Sequence, residues 1–130
     1  MTIDEHIAYW LGSADDNLKA AEDNLTIGHF DWCLFIGHLV LEKALKALFV
    51  KTNENKIPPK IHNLLRLADL SNLILTEEQS QFFSLVNKFQ MEGRYPEAKS
   101  EFYKMATKEF TNTNFQILKE NYHWLKSQII

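Results

Sequence analysis

Two arginines, five histidines, a single cysteine and a knot of charges inside an apolar run carry the reactive chemistry of this 130-residue sequence. Arg66 and Arg94 are the only guanidinium groups, so bidentate clamps for phosphate or carboxylate can be built at those positions alone. His6, His29, His38, His62 and His123 include no HExxH pair and no ligand spacing that suggests a metal centre. They read as structural. His62 follows a proline loop, where a cap or a buried hydrogen bond is the default role, and His123 sits between Tyr122 and Trp124. Cys33 lies in the apolar string WCLFI, which suits a packed thiol better than a nucleophile. No GxxxxGK[ST] or GxGxxG loop is present, so any phosphate must be held by side chains. The candidates are Lys43, Lys46 and Arg94, with Tyr95 as a stacking face.

The charged knot is HLVLEKALKALFVK, residues 38–51, where Glu42, Lys43 and Lys46 stand among leucines and alanines. On a helical wheel Val40, Leu41, Ala44, Leu45, Ala47 and Leu48 form one broad apolar arc that faces a core. The three charges share a second arc with Phe35, Leu39 and Val50. By spacing alone, Glu42 and Lys46 make an i, i+4 surface pair worth about 0.3–0.5 kcal/mol. The sharper reading is that this mixed arc meets a second subunit or lines a cleft, with its charges partly desolvated.

Helices must position these groups. Ile3, Ile7, Trp10, Leu11, Ala14, Leu18, Ala21 and Leu25 recur at helical spacing, which predicts a first helix over about 3–26, capped by a Thr2–Glu5 box and stopped near Gly28. A second spans about 30–51, and TNENKIPPK after it is a loop, because paired prolines cannot continue a helix. Leu64, Leu65, Leu67 and Ala68 give a short third helix. Thr76 and Gln79 box a fourth that carries Phe82, Phe83, Val86 and Phe89 and ends at Gly93. After GRYPEAK, the stripe Phe110, Phe115, Leu118, Tyr122, Leu125 and Ile129 predicts a last helix over about 107–128. Sustained two-residue alternation is missing, so the expected fold is all-α: an antiparallel up-and-down bundle of four to five helices, one domain over 1–130.

Composition excludes several classes. With 45% hydrophobic and 24% charged residues the chain is neither disordered nor low in complexity. A net charge of -3 gives no general attraction for nucleic-acid backbones, so such binding needs a local basic patch. No stretch approaches a membrane span, MTIDEH has no signal-like pattern, and one cysteine suits reducing conditions; a soluble cytoplasmic protein without membrane contact is expected.

The order of features resembles the HEPN family, the higher eukaryotes and prokaryotes nucleotide-binding domain. The matching stretches are WLGSADDNLKAAE from Trp10, GHFDWCLFIGHLVLEKALKALFVK, IPPKIHNLLRLADL and GRYP, which together cover most of the chain. Glu42, Lys43, Leu45, Lys46, Ala47 and Leu48, followed by Pro58, Pro59, His62 and Leu65, are the most specific part. The resemblance implies a helical bundle, commonly a homodimer, often paired with a minimal nucleotidyltransferase, with nucleotide or RNA as ligand and no cofactor. It also implies that RYP packs near the second helix, so that Glu42, Lys46 and Arg94 join one polar cluster. Some relatives are ribonuclease toxins marked by an arginine, four to six residues, then histidine. Here Arg94 is followed by YPEAKSEFYK and Arg66 by LADLSNLILT, neither with a histidine at that spacing. Metal-free RNA cleavage needs a base for the 2′-hydroxyl and a stabiliser of the charged phosphorane. Arg94 suits the second task, while no base stands near it in the sequence. The expected function is therefore a non-catalytic binding subunit. The alternatives are a diverged ribonuclease toxin and a stand-alone nucleotide-binding or structural dimer.

Overall fold

The computed structural model describes residues 1–91 and 94–130, so the helix stop expected at Gly93 lies outside the described residues. Six α-helices are present among them: α1 Ile3–Thr26, α2 Phe30–Thr52, α3 Leu64–Leu70, α4 Glu77–Asn87, α5 Pro96–Met105 and α6 Lys108–Ile129. The bundle contains one helix more than expected.

Side chains cap the starts of α1, α3, α4 and α6. Thr2–Glu5 and Thr76–Gln79 both form reciprocal capping boxes, and Asn63 and Thr107 accept backbone N–H groups of α3 and α6. Gly28, at φ +82°, turns the chain out of α1. The additional helix, α5, begins with Pro96 at its first position and buries only Phe102. That ring stacks on Phe89 at 5.7 Å and Met105 packs against the core, so distant contacts anchor a segment whose own apolar period is too short to announce it.

α2 is the axis of the bundle. Lys43 reaches Ser13, and Lys46 lies over Trp10, so α1 runs antiparallel to α2. Lys51 reaches the carbonyls of Gln128 and Ile129, which sets α6 parallel to α2 and opposed to α1. A Cβ on Gly37 would stand 2.8 Å from Leu118 Cδ1, so glycine permits the close approach of α2 and α6. Burial extends almost all round α2, from Cys33 to Val50, with Ile36, Leu39 and Lys43 partly exposed. A helix covered on every side has no solvated face on which to place its charges.

This corrects the surface reading of Glu42 and Lys46, which are 4% and 7% exposed. Their cover comes from α1 and the proline loop of the same chain, so the mixed arc does not require a second subunit to hide it. No helix among the described residues is long and apolar enough to cross a membrane.

Candidate functional site

Around Glu42 the fold gathers polar groups that are far apart in sequence. Its carboxylate accepts from Lys46 Nζ at 3.0 Å on one oxygen and from His62 Nδ1 at 2.8 Å on the other. A buried carboxylate is tolerated only when paired and hydrogen-bonded, and both requirements are met here. The Lys46 ammonium also sits 5.4 Å from the centre of the Trp10 ring, so it is enclosed between an anion and an aromatic face.

His62 is fixed twice. Its side chain is tied to Glu42, and its backbone carbonyl accepts from His38 Nε2 at 3.1 Å. A carbonyl cannot donate, so His38 carries its proton on Nε2. Burial holds the His38 imidazole below its ordinary range, which keeps it neutral, and leaves Nδ1 unprotonated without a hydrogen-bond partner, 4.0 Å from Glu42. For His62 the same reasoning puts a proton on Nδ1 and makes Nε2 the acceptor of the neutral ring. Its side chain is half exposed.

The open side of His62 forms the wall of a cavity of about 210 Å³, shared with Asn63, Asn87, Gln90 and Arg94. The asparagines are tied together: Asn87 Nδ2 donates to Asn63 Oδ1 at 3.0 Å, and Asn87 Oδ1 accepts Leu64 N–H at 2.8 Å. These bonds join the start of α3 to the end of α4, and so hold the His62 loop beside the segment that carries Arg94. The Arg94 guanidinium donates to the Asn87 carbonyl at 3.4 Å through one nitrogen.

Among the described residues Glu42 pairs with Lys46, His62 and, at 4.0 Å, His38, and not with Arg94, which shares the cavity that His62 lines. The other expected positions lie elsewhere. Lys43 donates to Ser13 Oγ at 2.7 Å, with burial lowering its pKa. Tyr95 is 81% exposed at the N-cap of α5, and His123 is exposed on α6, away from the Arg94 cavity. The thiol of Cys33 is buried, and its pKa is pushed up to about 12 by desolvation, which makes it inert as a nucleophile.

Two parts of the site were not read from the sequence. Asn63 and Asn87 offered only the weak signal of polar residues at helix ends, and His38 showed none, because its partner is a backbone carbonyl.

Against this geometry stand the likenesses to known proteins. The HEPN domain model matches residues 7–128, nearly the whole chain. The chain belongs to the HEPN family. Its helical domain is similar to the crystal structure of TT1696 from Thermus thermophilus, with 21% identity, a TM-score of 0.75, and 94% of this chain and 97% of that one covered. It is also similar to ST0689, described as an archaeal HEPN homologue, with 19% identity, a TM-score of 0.71, and 96% and 98% covered. At these identities the two structures establish the HEPN fold alone. No curated protein matches the chain.

Proposed function

We propose that this HEPN domain is a nucleotide- or RNA-associated binding subunit, working with a minimal nucleotidyltransferase partner, and that it grips phosphate in the His62–Arg94 cavity. The observation that carries this is the Arg94 guanidinium on a small polar cavity whose wall includes the fixed His62 ring: Arg94 donates to phosphate oxygens, and His62 Nε2 accepts from a ribose hydroxyl beside them. Among the described residues Arg94 engages Asn87 through one donor, and the rest of its fork can meet phosphate oxygens. Lys46 neutralises the carboxylate behind His62 and so limits its repulsion of an anion, an indirect role in place of direct contact. The nucleotidyltransferase and a homodimer are what the family resemblance implies. Tyr9 of α1 and Ile57 of the proline loop, 54% and 81% exposed, support a subunit contact over that region. Titration calorimetry with mononucleotides and short oligoribonucleotides tests the phosphate site. Arg94→Ala should weaken binding at least tenfold, the scale of a charged hydrogen bond; equal affinity in parent and variant refutes it. Sedimentation equilibrium tests the dimer, and a monomer at about tens of micromolar removes it.

A second reading, metal-independent RNA cleavage, is favoured by one observation: Glu42 orients His62 as a carboxylate orients a general base, on an imidazole that shares its cavity with Arg94. In that chemistry His62 Nε2 takes the 2′-hydroxyl proton, the 2′-oxygen bonds to phosphorus, and the bond to the 5′-oxygen breaks. Water protonates the leaving oxygen, giving a 2′,3′-cyclic phosphate and a 5′-hydroxyl. Arg94 stabilises the phosphorane. The binding reading ranks first because the arginine–histidine spacing of the cleaving relatives is missing. Incubating total RNA and transfer RNA with parent, Arg94→Ala and His62→Gln decides between the two. Cleavage by the isolated parent that both substitutions abolish promotes the ribonuclease; intact RNA with retained binding upholds the subunit.

A further inference from the structure

At the start of α2 the chain breaks the rule that its central helix is covered. Cys33, Leu34 and Phe35 are buried, yet Trp32 is 49% exposed. Its indole stands edge-to-face on Phe35, ring centres 5.9 Å apart at 78°, so it has a fixed apolar neighbour. Beside it lies a pocket of about 340 Å³ lined by Asp31, Trp32, Phe35, Met91 and Lys99. Two aromatic rings and a thioether form its apolar wall, and one carboxylate and one ammonium give its polar contacts.

We propose that this pocket takes a nucleobase, and that with the His62–Arg94 cavity it makes a single two-part nucleotide site. Three features select that occupant. A planar heterocycle stacks on an exposed indole whichever base it is, while an aliphatic ligand of the same size gains no stacking. Asp31 Oδ1 accepts the backbone N–H of Trp32 at 2.9 Å, which steadies the carboxylate and leaves its other oxygen for the amino or ring N–H groups at a base edge. Lys99, on α5, supplies positive charge at the mouth.

The two parts are in register along α2. Phe35 lines the pocket, and Glu42, which holds His62, follows two turns later on the same face, about 10 Å along the axis. Consecutive residues of the α4–α5 connection join them from the other side: Met91 lines the pocket and Gln90 the cavity.

This proposal rests on the phosphate reading above, and the test separates the two. Calorimetry would compare adenosine 5′-monophosphate, adenosine and ribose 5-phosphate against parent, Trp32→Ala, Trp32→Phe and Arg94→Ala. The expected result is that the parent binds the nucleotide at least tenfold more tightly than ribose 5-phosphate, from base stacking. Trp32→Ala should erase that preference and leave ribose 5-phosphate affinity unchanged, while Trp32→Phe retains most of it. Because Trp32 is half exposed, matched thermal melts are expected for parent and both variants. Adenosine binding that depends on Trp32 while Arg94→Ala changes nothing supports the base pocket and discards the phosphate reading. Equal affinity for nucleotide and ribose 5-phosphate in the parent overturns the base pocket. So does a Trp32→Ala chain that keeps nucleotide affinity but changes sedimentation, which makes the patch a protein contact. Tri-adenylate measured beside the mononucleotide distinguishes RNA from free nucleotide as the source, and Trp32-dependent binding of either upholds the pocket.

Discussion

α1 and α2 are neighbours of nearly equal length, 24 and 23 residues, and each carries a lysine–carboxylate pair at i, i+4. Lys19–Asp23 on α1 closes to 2.7 Å with side chains 76% and 61% exposed; Glu42–Lys46 on α2 closes to 3.0 Å with side chains 5% and 9% exposed. The spacing is the same and both contacts are close, with the order of lysine and carboxylate reversed, yet the pairs differ far more in burial than in geometry. In water the first pair exchanges solvent for a partner with little net gain. Inside the bundle the second has lost its solvent, so each charge depends on the other and on His62 and Trp10. The difference teaches that a pair's worth is set by what covers it, which is a property of the bundle and not of the helix.

The largest expected effect removes one member of the buried pair. Glu42→Ala should destabilise the fold by about 3–5 kcal/mol in urea unfolding, since it leaves Lys46 buried without a counter-charge and His62 without its tie. Replacing both charges, as in Glu42→Leu with Lys46→Met, should restore most of that loss, because packed apolar groups of similar volume need no solvation. A double variant as unstable as Glu42→Ala would show that the cost is one of shape and would weaken the contrast with α1.

Acid should act on α2 next. His38 is held below its usual 6.5 mainly by burial, with His62 and Lys46 adding to the depression and Glu42 and the His62 carbonyl opposing it. Below about pH 6.5 the unfolded chain takes up a proton that the folded one still refuses, so this contribution is complete above that pH and is lost as pH falls through the window below it. The urea midpoint should drop between pH 8 and 5.5, and His38→Gln should flatten that slope.

A smaller effect is expected where burial is partial. Tyr122 on α6 donates to Asp15 of α1 at 2.5 Å, from a buried ring whose hydroxyl is kept protonated by desolvation, while Asp15 is exposed. Tyr122→Phe should cost about 1.5 kcal/mol in thermal unfolding, the low end for a hydrogen bond to a charged group because Asp15 is exposed. At the far end, Asp23→Ala should leave the unfolding midpoint unmoved. A measurable loss there would mean that the exposed pair is not equivalent to solvent and would blur the comparison.

The helices themselves were readable because their signals are local. Apolar spacing and capping boxes place α1 over Ile3–Thr26 and start α4 after Thr76, since each contact spans only a few residues. α5 escaped for the complementary reason: Pro96 marks its start, but its one buried ring, Phe102, is held by Phe89, which lies beyond any local window.

The candidate site divides in the same way. The sequence by itself determined that Glu42 and Lys46 share a helix face, that the chain has two guanidiniums, and that His62 follows a loop stiffened by proline. Only the tertiary structure decided that α1 and the proline loop bury that face, that Glu42 binds His62 across 20 residues, and that Asn87 joins the start of α3 to the segment bearing Arg94. The physical reason is that side-chain type and helical period are properties of neighbours in the chain, whereas loss of solvent and the partners of a buried charge depend on which distant segments arrive to displace the water.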